Sequence, residues 1–164
     1  MTDSQRPRKR IADSRFTLSR LMAPQDANHY GNVHGGVIMK MVDEAGAIAA
    51  MRHANMPCVT VAIDSMTFIE PIRTENLVLC KAELTYVGRT SMEVRVDVIA
   101  EHPLLGTSKL TNSAFVVYVA LDLAGTPAVV PELIYETPEE MQRAEEAQER
   151  QAFRKRQRER EASR

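Results

Sequence analysis

The residues best suited to chemistry stand close together, between Asn28 and Asp43. Asn28-His29-Tyr30-Gly31-Asn32-Val33-His34-Gly35-Gly36 is a polar loop that ends in two glycines. Glycines let backbone amides come close to a ligand. The first turn of a helix offers unpaired N–H groups and the positive end of a dipole. Gly35 and Gly36 lead into such a helix, so the stretch can hold a developing negative charge. Asp43 falls on a line of mostly small residues that includes Gly36, Gly46, Ala47 and Ala50. Small residues admit a neighbouring backbone, and a carboxylate among them is not an ordinary solvated charge. The plain alternative is a helix acid paired with Lys40 or Arg52. His29 and His34 are a weak zinc signal, and no histidine or cysteine spacing matches a metal set, so no metal is expected.

The element that positions these residues is the run after the loop. Val37, Ile38, Met41, Val42, Ala45, Ile48 and Ala49 recur at i, i+3 and i+4 and predict one apolar stripe on a helix from Gly35 to about His53. Asn55, Met56 and Pro57 end it. Arg15–Met22 reads as a first strand. Four strand-like runs follow the helix: Cys58–Ile69, Asn76–Val87, Ser91–Ala100 and Ser108–Leu121. Val78, Cys80, Ala82, Leu84 and Tyr86 face one way, with Lys81, Glu83 and Thr85 opposite. Met92, Val94, Val96 and Val98 likewise alternate with Glu93, Arg95 and Asp97. Ala114–Leu121 is apolar on both faces, which predicts a covered strand. One strand, a long helix and four strands in a meander give an α+β protein of two layers.

The 164 residues, 44% of them hydrophobic, suit one domain with extensions. The expected divisions are a disordered basic start over 1–11, the domain over 12–135, and a charged tail over 136–164, helical or partly disordered. Acids lead in that tail and bases follow, as the helix dipole favours. No apolar run is long enough to span a membrane. The start lacks the apolar core of a secretory signal. A net charge of -1 gives no reason to expect nucleic acid. Cys58 and Cys80 read as reduced, buried thiols of a cytoplasmic protein.

Three ordered motifs carry a resemblance. Asn28-x-x-Gly31-Asn32-Val33-His34-Gly35-Gly36-x-Ile38-Met39-Lys40-x-x-Asp43-Glu44-x-Gly46 resembles the signature of hot-dog-fold acyl-CoA thioesterases, and among them the cytosolic, brain-type acyl-CoA hydrolases. Val61-Ala62-Ile63-Asp64-x-Met66-x-Phe68-x-x-Pro71-Ile72 resembles the strand after the helix in that group. Tyr86-x-Gly88-Arg89-Thr90-Ser91-Met92-Glu93 resembles the next hairpin. The likeness covers residues 12 to 122. It implies a long helix wrapped by a five-stranded antiparallel sheet. It also implies dimers joined at sheet edges, often as trimers of dimers, that is, hexamers, and hydrolysis of fatty acyl-CoA to free acid and CoA without a cofactor. Some relatives place the working Asn and Asp in two tandem domains. This chain holds both in one, so a second copy is expected to complete the site.

On that resemblance Asp43 is the general base, or a carboxylate nucleophile. Asn32 holds the water or the thioester oxygen, or else simply shapes a turn. The amides of Gly35 and Gly36 are oxyanion donors, and His34 orders the loop or polarises the carbonyl. Arg89, Thr90 and Ser91 offer a cation, hydroxyls and amides to the phosphates of CoA, or form a plain hairpin turn. Two other functions share the fold: a non-catalytic acyl-CoA sensor, and a hydratase, whose motif is absent here.

Overall fold

A computed structural model describes residues 6–163. The strands are β1 (Arg8–Arg10), β2 (Phe16–Leu21), β3 (Cys58–Met66), β4 (Leu77–Val87), β5 (Ser91–His102), β6 (Thr107–Ala120) and β7 (Glu132–Ile134). The helices are α1 (Gly35–Ala54) and α2 (Pro138–Ala162). Helix α1 packs against all five strands of an antiparallel sheet ordered β2-β4-β5-β6-β3. This is the expected hot-dog arrangement. Ile38, Met41, Val42, Ala45 and Ala49 are buried on the predicted stripe, facing Val78, Cys80, Val94, Val96 and Val116. Each wholly buried large aliphatic side chain contributes about 1.5–3 kcal/mol. Asn55 closes the helix in the left-handed conformation (φ 53°).

Only three of the four strands after α1 form a meander. β3 crosses to the far edge and pairs with β6, because α1 must pass beneath the whole sheet before the chain can re-enter it. β6 is thus an interior strand, covered as its two apolar faces require. β3 is an edge, with β6 as its one hydrogen-bonded neighbour among the described residues.

The start of the chain also differs from expectation. Residues 1–5 of the expected disordered segment lie outside the described residues, but Arg8–Arg10 pairs in parallel with Glu132–Ile134. Lys9 Nζ donates to the His53 carbonyl at 2.8 Å, tying this small sheet to the end of α1.

The charged tail forms one continuous helix laid across the outer face of the sheet. Thr137 caps it, and Glu140 Oε2 accepts from Glu136 N (2.7 Å). Ala144 and Ala147 are buried against the sheet. Three arginines pin it: Arg143 to Glu83, Arg150 to Glu93, and Arg154 to Asp64 and Glu93. Glu93 is therefore buried (2% exposed) rather than on a solvated face. Thr85 is buried too. A bulge between Leu84 and Tyr86 breaks the strand alternation there, and Thr85 Oγ1 donates to Glu93 Oε1 at 2.8 Å. A buried carboxylate needs such partners, since an isolated one would cost several kcal/mol or so.

Candidate active site

Asp43 sits midway along α1, facing β3. Thr60 Oγ1 donates to its Oδ1 at 2.6 Å, and Tyr118 OH lies 3.3 Å from the same oxygen. Tyr118 OH also donates to the Asp43 carbonyl at 2.8 Å. Both hydroxyls meet Oδ1 rather than Oδ2. Neither suspected cation pairs with the acid. Lys40 meets Glu44 instead, while Arg52 donates to the Arg15 carbonyl and covers the Phe16 ring. Burial, with the Asp43 carboxylate beside it, holds the Tyr118 phenol well above its usual range, so it stays a donor.

Thr60 and Tyr118 are the residues that sequence reasoning missed. Tyr118 was legible as the one polar-tipped side chain in the apolar run from Ala114 to Leu121. Its counterpart is Gly46 on α1. A Cβ there would press into the Tyr118 hydroxyl and stand 3.0 Å from two ring carbons. Gly46→Ala should therefore destabilise the protein. Alanine gains about 1 kcal/mol in helix propensity, but overpacking a fully buried ring costs about 1–3 kcal/mol. A lowered Tm, partly restored by adding Tyr118→Phe, is the expected calorimetric result. An unchanged Tm would mean that the ring yields freely.

The loop end of α1 forms a second cluster. Asn32, Gly35, Ile38, Phe68 and Ile72 line a cavity of about 390 Å³. Asn32 is held by main-chain pairing, with its carbonyl accepting from Asn28 N at 2.6 Å and a bridge to Arg73. Its side-chain Oδ1 is buried and has no partner among the described residues. A buried acceptor without a donor is costly, and a water proton would satisfy it. His34 caps α1, its Nδ1 accepting from Gly36 N at 3.0 Å. The Gly36 amide is thus engaged by His34, and the His34 ring is turned to its own loop, the first of the two roles expected of it. The Gly35 amide remains beside Asn32.

These two clusters do not meet within one chain. Gly35 and Asp43 are eight residues apart on α1, about 12 Å at helical rise. Phe68 lies beyond the Met66 end of β3, whereas Thr60 stands near its start.

The Gly88–Ser91 turn lies at the Asp43 end of the sheet. Met92, Tyr118 and Thr60 pair in one row across β5, β6 and β3. Arg89 is exposed, and its carbonyl accepts from Val130 N, while that of Thr90 accepts from Ala120 N. Ser91 lines a different cavity under α2. Lys109 is paired with Glu70. Burial pushes the Cys58 and Cys80 thiols up to about 11 and about 12, which favours the neutral thiol over the thiolate. Among the described residues no cluster could hold a metal ion, and no helix is long and apolar enough to cross a membrane.

A long helix wrapped by this sheet, with a glycine-led N-terminus and an acid on its small face, defines a thioesterase-type hot-dog domain. Residues 30–107 match the pattern described as the Thioesterase superfamily. The chain is 36% identical over 129 residues to the uncharacterized acyl-CoA thioester hydrolase YkhA of Bacillus subtilis, across 79% of this chain and 75% of that one. It is 42% identical over 143 residues to the cytosolic acyl coenzyme A thioester hydrolase of Mus musculus, across 80% of this chain. The chain spans only 38% of that mouse enzyme's length, so likeness to the cytosolic group is partial. The structure resembles that of an apo-hexameric acyl-CoA thioesterase, with a TM-score of 0.88 and 36% identity over 92% of this chain and 97% of that one. The chain belongs to the thioesterase superfamily.

Proposed function

We propose that this chain is an acyl-CoA thioesterase, releasing a free fatty acid and CoA in the cytoplasm, with the activity in residues 12–135. The observation that carries this reading is Asp43. Its carboxylate is oriented by Thr60 and Tyr118, pairs with no cation among the described residues, and stands on the small face of α1. Pure binding of a thioester does not need such a group. Asp43 acts as general base through Oδ2. Asn32 Oδ1 accepts from the attacking water, and the Gly35 amide donates to the carbonyl oxygen as it becomes an oxyanion. Arg89 and Thr90 receive the phosphates of CoA at the turn before Met92, whose row lies two strand spacings or about 10 Å from Thr60. The names of the two relatives support the substrate, and that of the mouse enzyme supports the compartment.

The site is shared between two copies. β3 is an open edge whose Val59, Val61 and Ile63 are 43%, 44% and 38% exposed. Antiparallel pairing with a second β3 about its middle sets Thr60 near the partner's Ser65, and hence Asp43 near the partner's Phe68, Gly35 and Asn32. A two-fold axis then builds two equal sites. Assembly of such dimers into a hexamer is supported by the hexameric relative.

The test is thiol release from acyl-CoAs of increasing length, from acetyl to palmitoyl. Turnover of one or more supports the reading. Tight binding without thiol release would replace it with the sensor, and loss of enoyl-CoA absorbance without thiol release would replace it with the hydratase.

A further inference from the structure

Helix α2 does not stop where the sheet stops. Its arginines reach β4 through Glu83, β5 through Glu93 and β3 through Asp64, so at Arg154 it stands over the sheet's open edge. Arg150 also stacks on Phe115 of β6, 3.8 Å from the ring centre. The remaining turns, Lys155 to Ala162, project about 12 Å further at helical rise. Every one of these residues is exposed. So short a helical piece is marginal in water on its own.

One flank of α2 is also open. Gln148, Ala152 and Lys155 border a cavity of about 760 Å³ floored by Val61, Val117 and Val119. Gln148, Ala152, Lys155, Glu159 and Ala162 follow one another at spacings of four and three, the seam of a helix that faces another helix.

We propose that the occupant of this flank is the α2 of a second copy, lying antiparallel over the cavity; this rests on the edge-to-edge dimer proposed above. The argument is one of symmetry and charge. A two-fold axis between Ala62 and Ile63, at the middle of β3, passes about 5 Å from Asp64 at strand rise. The two α2 helices then lie about 10 Å apart, the ordinary packing distance. The axis also falls about half a strand spacing beyond β3, two to three residues past Arg154 along an oblique helix. Around residue 157, Lys155 meets the partner's Glu159, and Glu159 the partner's Lys155. Ala152 meets the partner's Ala162, and small residues there let the helices approach. A parallel arrangement would instead set Lys155 against the partner's Lys155. The exposed tip thus becomes an intersubunit strap, and the apolar floor of the cavity is covered.

Cysteine pairing tests the register. In Ala152→Cys/Ala162→Cys the two positions face each other with Cα atoms about 5 Å apart, within reach of a disulfide. In Ala152→Cys alone the two copies are at least about 15 Å apart. Mild oxidation of the full chain should shift the double variant to a covalent dimer on a non-reducing gel and leave the single variant monomeric there. Light scattering on the unmodified chain separates the outcomes. A dimer or hexamer whose double variant does not cross-link, or whose single variant cross-links equally well, overturns the strap and leaves the dimer standing. A monomer overturns both.

Discussion

Replacing Asp43 by asparagine should lower kcat by about 10²- to 10⁴-fold, the usual loss when a general base is removed. The substitution is nearly isosteric, and Thr60 can still donate to the side-chain oxygen it now meets at 2.6 Å. Tyr118 keeps its bond to the residue 43 carbonyl, so the helix and sheet stay docked. Oδ2, which faces neither hydroxyl, becomes an amide that cannot take a proton. CoA affinity, measured by calorimetry, and Tm should change little, because the phosphate candidates Arg89 and Thr90 are on another turn. A purified, folded variant that keeps more than about a third of the wild-type turnover would remove Asp43 from the role of base.

Complementation between two inactive variants should restore activity. Asn32→Ala and Asp43→Asn subunits are mixed in equal amounts, denatured and refolded together. If each site takes Asn32 from one chain and Asp43 from its partner, a mixed dimer holds one site with both lesions and one with none. About half of randomly formed dimers are mixed, so about a quarter of all sites should be intact. If both residues act from the same chain, no pairing yields an intact site. Differently tagged subunits allow exchange to be shown by mass. Activity that stays at the level of the separate variants after proven exchange would refute the shared site. The geometry behind this expectation is the distance along α1: a carbonyl at Gly35 is about 12 Å from Asp43 of its own chain, far beyond the roughly 3 Å over which a base acts through water.

The sequence determined the elements and the chemistry-bearing stretch, because both depend on short-range periodicity. The stripe from Val37 to Ala49 is local to one helix, and the alternation from Met92 to Val98 is local to one strand. Each needs only a hydrophobic side facing a core. The loop chemistry from Asn28 to Gly36 is equally local, and it placed the start of α1 at Gly35. What lay beyond the sequence is whatever depends on residues far apart in the chain. Nothing in the order of the strands says that β3 crosses to the edge beside β6, and its solvent-facing valines look the same in a covered strand. Thr60 and Tyr118 reach Asp43 from positions 17 and 75 residues away, through packing of the sheet on α1. Gly46 reads as one of several small residues that admit a neighbour, and only the fold shows that the neighbour is Tyr118. The tail misled for a related reason. Its charges look solvated one by one, yet Arg150 and Arg154 converge on a single acid, Glu93, which turns a polar helix into a cover for the sheet. Charge pattern alone tells how a helix meets water, and only tertiary structure decides whether a buried carboxylate waits beneath it.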